Sequence, residues 1–105
     1  MQLISVKEMR DGMIVGVTVR VSMMDKVRTV LTKYGEKKLQ VLRLADDTGT
    51  IEYVTWDDEV GTYQLGERLK MQNCRVAIGH DGKLQLRTTP YSRITVISSK
   101  PYRFD

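Results

Sequence analysis

A chain of 105 residues has room for one hydrophobic core and little more, and its 41% of apolar residues alternate with polar ones in a way that disordered segments do not. Seventeen Lys and Arg against 13 Asp and Glu give a net charge of +4, which permits an anionic partner without demanding one. A single cysteine, Cys74, and a single histidine, His80, exclude an internal disulfide, a cysteine-based zinc cluster and His-pair catalysis.

The lone cysteine fits a reducing compartment, so the expected location is the cytoplasm, with the nucleoid, or the nucleus if the source is eukaryotic. No apolar run approaches the ~20 residues of a membrane span. The opening MQLISVKEMRDG lacks the apolar core of a secretory leader. No membrane partner is expected.

Residues 3–12 read as a short lead-in with a turn at Asp11-Gly12. In residues 13–24, Val15, Val17, Val19 and Val21 fall on one face and Thr18, Arg20 and Ser22 on the other. That period of two over β-branched residues predicts a long strand that bends around a barrel. Residues 25–38 carry Lys26, Arg28, Lys33, Lys37 and Lys38, with Tyr34-Gly35 as a hairpin tip where Gly supplies a positive φ. A second long strand covers residues 39–45, Asp46-Asp47-Thr48-Gly49 is a tight turn, and a third strand runs over 50–56 to the only tryptophan, Trp56.

Residues 57–66 suit a short helical turn capped by Asp57 or Asp58 and ended by Gly66. A fourth strand is expected at 68–78. A primed turn follows at His80-Asp81-Gly82. The fifth strand, 83–88, sets Leu84 and Leu86 opposite Lys83, Gln85 and Arg87. Tyr91 is expected to pack at the barrel end, residues 94–97 to close the sheet, and 98–105 to form a flexible tail in which Tyr102 and Phe104 offer a docking peptide. The fold class is therefore all-β: one domain over 1–97, a five-stranded Greek-key OB-fold barrel with at most one short helix between the third and fourth strands. An SH3-like barrel is the competitor, but it has no need of the insert at 57–66.

Which way Trp56 points decides what the chain can do. A tight turn at 46–49 pairs Ala45 with Thr50, Arg43 with Glu52, Val41 with Val54 and Leu39 with Trp56. One face is then Gln40, Leu42, Leu44, Ile51, Tyr53 and Thr55, and the other Leu39, Val41, Arg43, Glu52, Val54 and Trp56. Hydrophobicity does not choose between them, and a one-residue slip would exchange them. Burying Arg43 and Glu52 inside a small barrel would cost more than their pairing returns, which places the Trp56 face outside and Tyr53 inside with its hydroxyl at the rim. An exposed apolar strip with an aromatic and a nearby cation suits a nucleobase.

The segment DDTGTIEYVTW (46–56) resembles the DETGxIxxxxW signature of OB-fold single-stranded DNA-binding proteins related to replication protein A, notably the small archaeal ones. The lead-in at 8–13, the LGERLKMQN run at 65–73 and DGKLQL at 81–86 resemble the corresponding family segments, so the likeness extends over about residues 4–97. It implies that DNA crosses the outer face of the second and third strands and that aromatics stack on bases. Trp56 matches the aromatic ending the third strand. The two other stacking positions hold Arg75 and Gly79-His80 in place of Phe, Tyr or Trp, although Arg planes and His rings also stack on bases.

The candidate nucleic-acid-binding residues are Trp56 for stacking, Val54 beside it, Arg43 and Arg75 for phosphate or base contacts, and Tyr34 closing from the loop tip. Lys33, Lys37, Lys38, Lys83 and Arg87 are candidates for phosphate neutralisation. Asp46, Asp47, Asp57, Asp58 and Glu59 read as turn and cap residues rather than metal ligands. The chain contains no phosphate loop, nucleophile elbow or paired-carboxylate motif, so neither catalysis nor a cofactor is expected. The expected partner is single-stranded DNA, with RNA as the variant, and stacking alone gives weak sequence preference. The alternative is a protein-interaction OB subunit of a replication or repair complex. An OB domain cut from an enzyme is a third reading.

Overall fold

Alternating valines make the first element a strand, and β1 (Ile14–Met24) buries Val15, Val17, Val19 and Val21 on one side. The structure, a computed structural model, describes residues 2–98; the proposed docking residues Tyr102 and Phe104 and the rest of the tail beyond Ser98 lie outside the described residues. β2 (Arg28–Thr32), β3 (Gly35–Asp46), β4 (Gly49–Trp56), β5 (Arg68–Ile78), β6 (Leu84–Arg87) and β7 (Arg93–Ser98) complete the sheet. The strands β1-β3-β4-β6-β5 run side by side, and antiparallel pairing of β1 with β5 closes them into a five-stranded barrel. β4 and β6 are the one parallel pair among these neighbours.

Two strands lie outside that barrel. β2 pairs with β3 to extend a hairpin arm, and β7 pairs with β5. Residues 94–97 therefore do not close the sheet as expected; that role falls to β1, whose length lets it pair with β3 at one end and β5 along the rest.

The predicted register of β3 and β4 is the observed one: Leu39 with Trp56, Val41 with Val54, Arg43 with Glu52 and Ala45 with Thr50. Leu42, Leu44, Ile51 and Tyr53 point into the core. β5 breaks strict alternation. Val15 pairs with Cys74 but Val17 with Met71, so β5 holds one extra residue at a bulge. Asn73 lies there with φ of 55°, a left-handed conformation that Asn tolerates better than most residues. The bulge lets Leu69, Met71, Cys74 and Val76 all face inward and turns Arg75 out. Burial pushes the Cys74 thiol above its ordinary range, so it stays protonated.

The helix expected at 57–66 is a single 3-10 turn, Asp57–Glu59. Asp57, Gly61 and Gly66 all have positive φ, which no right-handed helix accommodates. The β5–β6 connection also differs from expectation. Gly82 N–H bonds to the Gly79 carbonyl at 3.0 Å, and of its residues only Gly82 has positive φ. This is an ordinary turn followed by a left-handed glycine rather than a primed turn. Tyr91, expected to pack, is 82% exposed, because the 88–92 loop is held by Thr89 and Ser92, whose hydroxyls donate to the Asn73 carbonyl at 3.1 and 2.6 Å.

The turn between β3 and β4 is organised by one carboxylate. Asp46 Oδ1 accepts from Thr48 N at 2.8 Å, Thr48 Oγ1 at 2.6 Å and Gly49 N at 3.1 Å, while Oδ2 accepts from Val6 N at 2.8 Å. Lys7 N bonds back to Thr48 Oγ1 at 3.0 Å. The same side chain thus shapes the turn and clamps the 3-10 turn Val6–Glu8, after which Met9 enters the core. Partial burial works to raise the Asp46 carboxyl, but the donated bonds outweigh it and hold it below the ordinary value of 3.8.

Asp46→Ala should therefore cost about 1–3 kcal/mol at neutral pH, the range for losing hydrogen bonds to a charged acceptor. Because the folded pKa is depressed, this contribution is present above about pH 4 and fades as pH falls through the folded value. Urea unfolding of the parent and Asp46→Asn proteins at pH 7 and near pH 2 checks the sign: their difference should shrink in acid.

Candidate nucleic-acid interface

The outer face of β3 and β4 is the floor of a groove of about 790 Å³. Leu39, Val41, Val54 and Trp56 supply its apolar part. Arg28 and Val30 of β2, together with Asp25, form one wall; His80 and Asp81 of the β5–β6 turn, with Arg87 and Thr88, form the other. Asp25 is fixed there because its N–H donates to the Val41 carbonyl at 3.0 Å and its carbonyl accepts from Gln40 Nε2 at 2.9 Å.

Trp56 lies outward, 45% exposed, as the charge argument requires. Leu39, on the same face, is only 7% exposed, since the β2 arm flanks it on one side and Trp56 on the other. The chain just after Trp56 is tied in place. Asp57, at φ of 48°, accepts from Lys38 N at 3.1 Å and pairs with Lys37 Nζ at 3.5 Å. Glu59 accepts the Tyr53 hydroxyl at 2.5 Å and the Tyr63 hydroxyl at 3.5 Å. Burial first, and then the hydrogen bond to Glu59, raise the Tyr53 hydroxyl well above its ordinary range. Burial and the Glu59 charge push Tyr63 up to about 12. Both phenols stay protonated and donate, so the segment carrying Trp56 is anchored to the core and to β3.

The other expected site residues are spread more widely. Val54 and Arg87 line the groove. The register that sets Glu52 beside Gln85 and Tyr53 beside Leu86 brings Val54 toward Arg87, and Arg87 pairs with Arg75. A row Val41–Val54–Arg87–Arg75 therefore crosses four strands on the outer face. Arg43 shares that face opposite Glu52, yet no ion pair joins them, and Arg43 is not among the groove-lining residues. Tyr34 occupies the predicted hairpin tip, 78% exposed, with Lys33 Nζ 5.1 Å from its ring centroid. Lys37 is engaged with Asp57, Lys38 alternates to the face away from Leu39 and Val41, and Lys83 precedes β6 in the exposed turn. Tyr34, Lys33, Lys37, Lys38 and Lys83 lie outside the groove lining, as does Arg75.

Sequence reasoning missed Asp25, Val30 and Gln85 as groove residues, whereas the family likeness had set Gly79-His80 at a stacking position. Val30 had a signal, the alternation that puts it with Arg28. Gln85 had none, because it arrives through the parallel β4–β6 contact. Sequence reasoning also missed that Asp25, Glu52, Glu59 and Asp81 give the groove four carboxylates beside Arg28 and Arg87. Among the described residues no three acidic, His or Cys side chains converge as a metal site.

A solution NMR structure of the replication factor A related protein from Methanobacterium thermoautotrophicum matches the chain with a TM-score of 0.71 over 96% of each, at 24% identity. The chain is an OB-fold. By sequence, this OB-fold is 26% identical over 102 residues to a replication factor A from Methanothermobacter thermautotrophicus; the match covers 93% of the chain but spans only 13% of that protein. A replication protein A heterotrimer bound to ssDNA contains a chain that matches with a TM-score of 0.69 and 16% identity, over 98% of this OB-fold and 27% of that chain. No model of a known protein family matches. The OB-fold is thus similar to replication factor A domains, archaeal ones among them, as the motifs at 46–56, 65–73 and 81–86 imply.

Proposed function

We propose that this OB-fold is a non-catalytic module that binds single-stranded nucleic acid, with DNA as the ligand by analogy with the similar chain of the ssDNA-bound replication protein A heterotrimer, in replication, recombination or repair. The observation that carries the reading is the half-exposed Trp56 on the floor of a groove between a hairpin arm and the β5–β6 turn. Bases stack on Trp56 and slide over Val54 and Val41. Phosphates follow the rims, where Arg28, Arg87 and Arg75 stand, because the carboxylates inside the groove repel them. Stacking and phosphate contacts supply affinity but little base identity.

Titration with an oligo-dT strand tests the reading. Trp56 is the sole tryptophan, so its fluorescence should be quenched. Log affinity should fall against log salt with a slope of about −0.7 per phosphate contact. Unchanged fluorescence together with no mobility shift at low salt would refute the proposal. A second reading, a protein-interaction subunit, draws support from β7, which pairs only with β5 among the described strands and exposes Val96 and Ile97. Self-association by light scattering without DNA binding would favour it.

A further inference from the structure

Two polar side chains stand together on the groove floor. The parallel register of β4 and β6 sets Glu52 beside Gln85, both line the groove, and neighbours across such a ladder are about 5 Å apart. Glu52 is half-buried, and no described residue donates a hydrogen bond or forms an ion pair to its carboxylate. The Gln85 amide lies against the bare Cα of Gly79: a Cβ there would come 2.5 Å from Nε2 and 2.6 Å from Cδ. No described residue bonds that amide either. A carboxylate and an amide thus face the groove side by side with their hydrogen-bonding capacity available.

We propose that Glu52 and Gln85 read one base of the bound strand and that the base is guanine. The Watson–Crick edge of guanine presents the N2 amino group, N1–H and O6 in order: two adjacent donors and an acceptor. A carboxylate accepts both donors, and an amide N–H beside it donates to O6. Thymine and uracil offer a single N–H between two carbonyls, so one carbonyl faces the carboxylate. Cytosine and adenine offer one amino group next to a ring acceptor. Only guanine matches the pair without leaving like against like.

Glu52 precedes Trp56 by four residues on the same face of β4, a distance of about 13 Å. The base that is read is therefore not the one stacked on Trp56 but one further along the strand. This recognition adds identity at one position to contacts that otherwise carry little, and it rests on the single-strand reading above.

The test compares an oligo-dT strand with the same strand carrying isolated guanines, spaced so that no quadruplex forms. Fluorescence anisotropy should show the guanine strand binding about tenfold tighter, the scale of one bidentate base contact. Inosine, which lacks the N2 amino group, should lose most of that gain. A 7-deazaguanine, whose Watson–Crick edge is intact, should keep it. Glu52→Gln should bring the guanine-to-thymine affinity ratio close to one. Gly79→Ala should lower the ratio as well, since its methyl displaces only the flexible end of Gln85, and circular dichroism should show the fold retained. Equal affinity for the two strands overturns the guanine assignment while leaving the binding reading intact. Failure to bind any strand overturns both.

Discussion

Replacing Trp56 with alanine should weaken the binding of an oligo-dT strand by about 1–3 kcal/mol, the range for one base–aromatic stack, while the fold survives. The side chain is half exposed at the end of β4, so its loss opens no core cavity. The segment that carries it is held by Asp57 and Glu59 rather than by the indole. Trp56→Phe keeps a π-face and should retain most of the affinity. Anisotropy of a labelled strand gives the readout, since the mutant has no tryptophan left to report. If Trp56→Ala bound as tightly as the parent, stacking at this position would be ruled out as the source of affinity.

Truncating Leu44 should give the largest loss of stability. Leu44 is fully buried, and Leu→Ala at such sites costs about 3–5 kcal/mol. A domain of this size is stable by only about 5–15 kcal/mol, so the variant should unfold at much lower urea. Val54→Ala, on the opposite face of the same hairpin and only partly covered, should cost about 1 kcal/mol or less and reduce affinity instead. The two variants make the face assignment measurable. If Val54→Ala were the more destabilising, the hairpin would have been read inside out.

The β3–β4 hairpin was legible because a two-residue turn fixes register and one charged pair chooses the face. The choice was right although Arg43 and Glu52 form no ion pair, since what excludes them from the core is the cost of dehydrating charge rather than any gain from pairing. Local alternation likewise located β1, and glycine's tolerance of positive φ located the hairpin tip at Tyr34-Gly35. What local patterns missed depends on contacts made far along the chain. The extra residue at Asn73 shows only against β1, and the neighbourhood of Gln85 only when β6 reaches β4. The helix expected at 57–66 failed for a local reason of a different kind. Asp57 acts as a brace between Lys37 and the Lys38 backbone, and its left-handed backbone is incompatible with the cap assigned to it. Lys38 was counted with its basic neighbours by charge alone, whereas alternation along β3 sends it to the other side.

The parallel contact of β4 with β6 has a kinetic side. Parallel partners cannot be joined by a hairpin, so this pairing must await closure of a long loop, and non-local pairings of that sort belong to the slow part of folding. The groove floor straddles this seam. Its two halves come together only when β6 docks on β4, and on the proposed function a strand laid across them would bind only the docked form. Free ligand then enters the stability of the whole domain as RT ln(1 + [L]/Kd). In that sense a strand bound as proposed would act as a staple across a non-local joint of the barrel, and resistance to unfolding would rise wherever single strands accumulate.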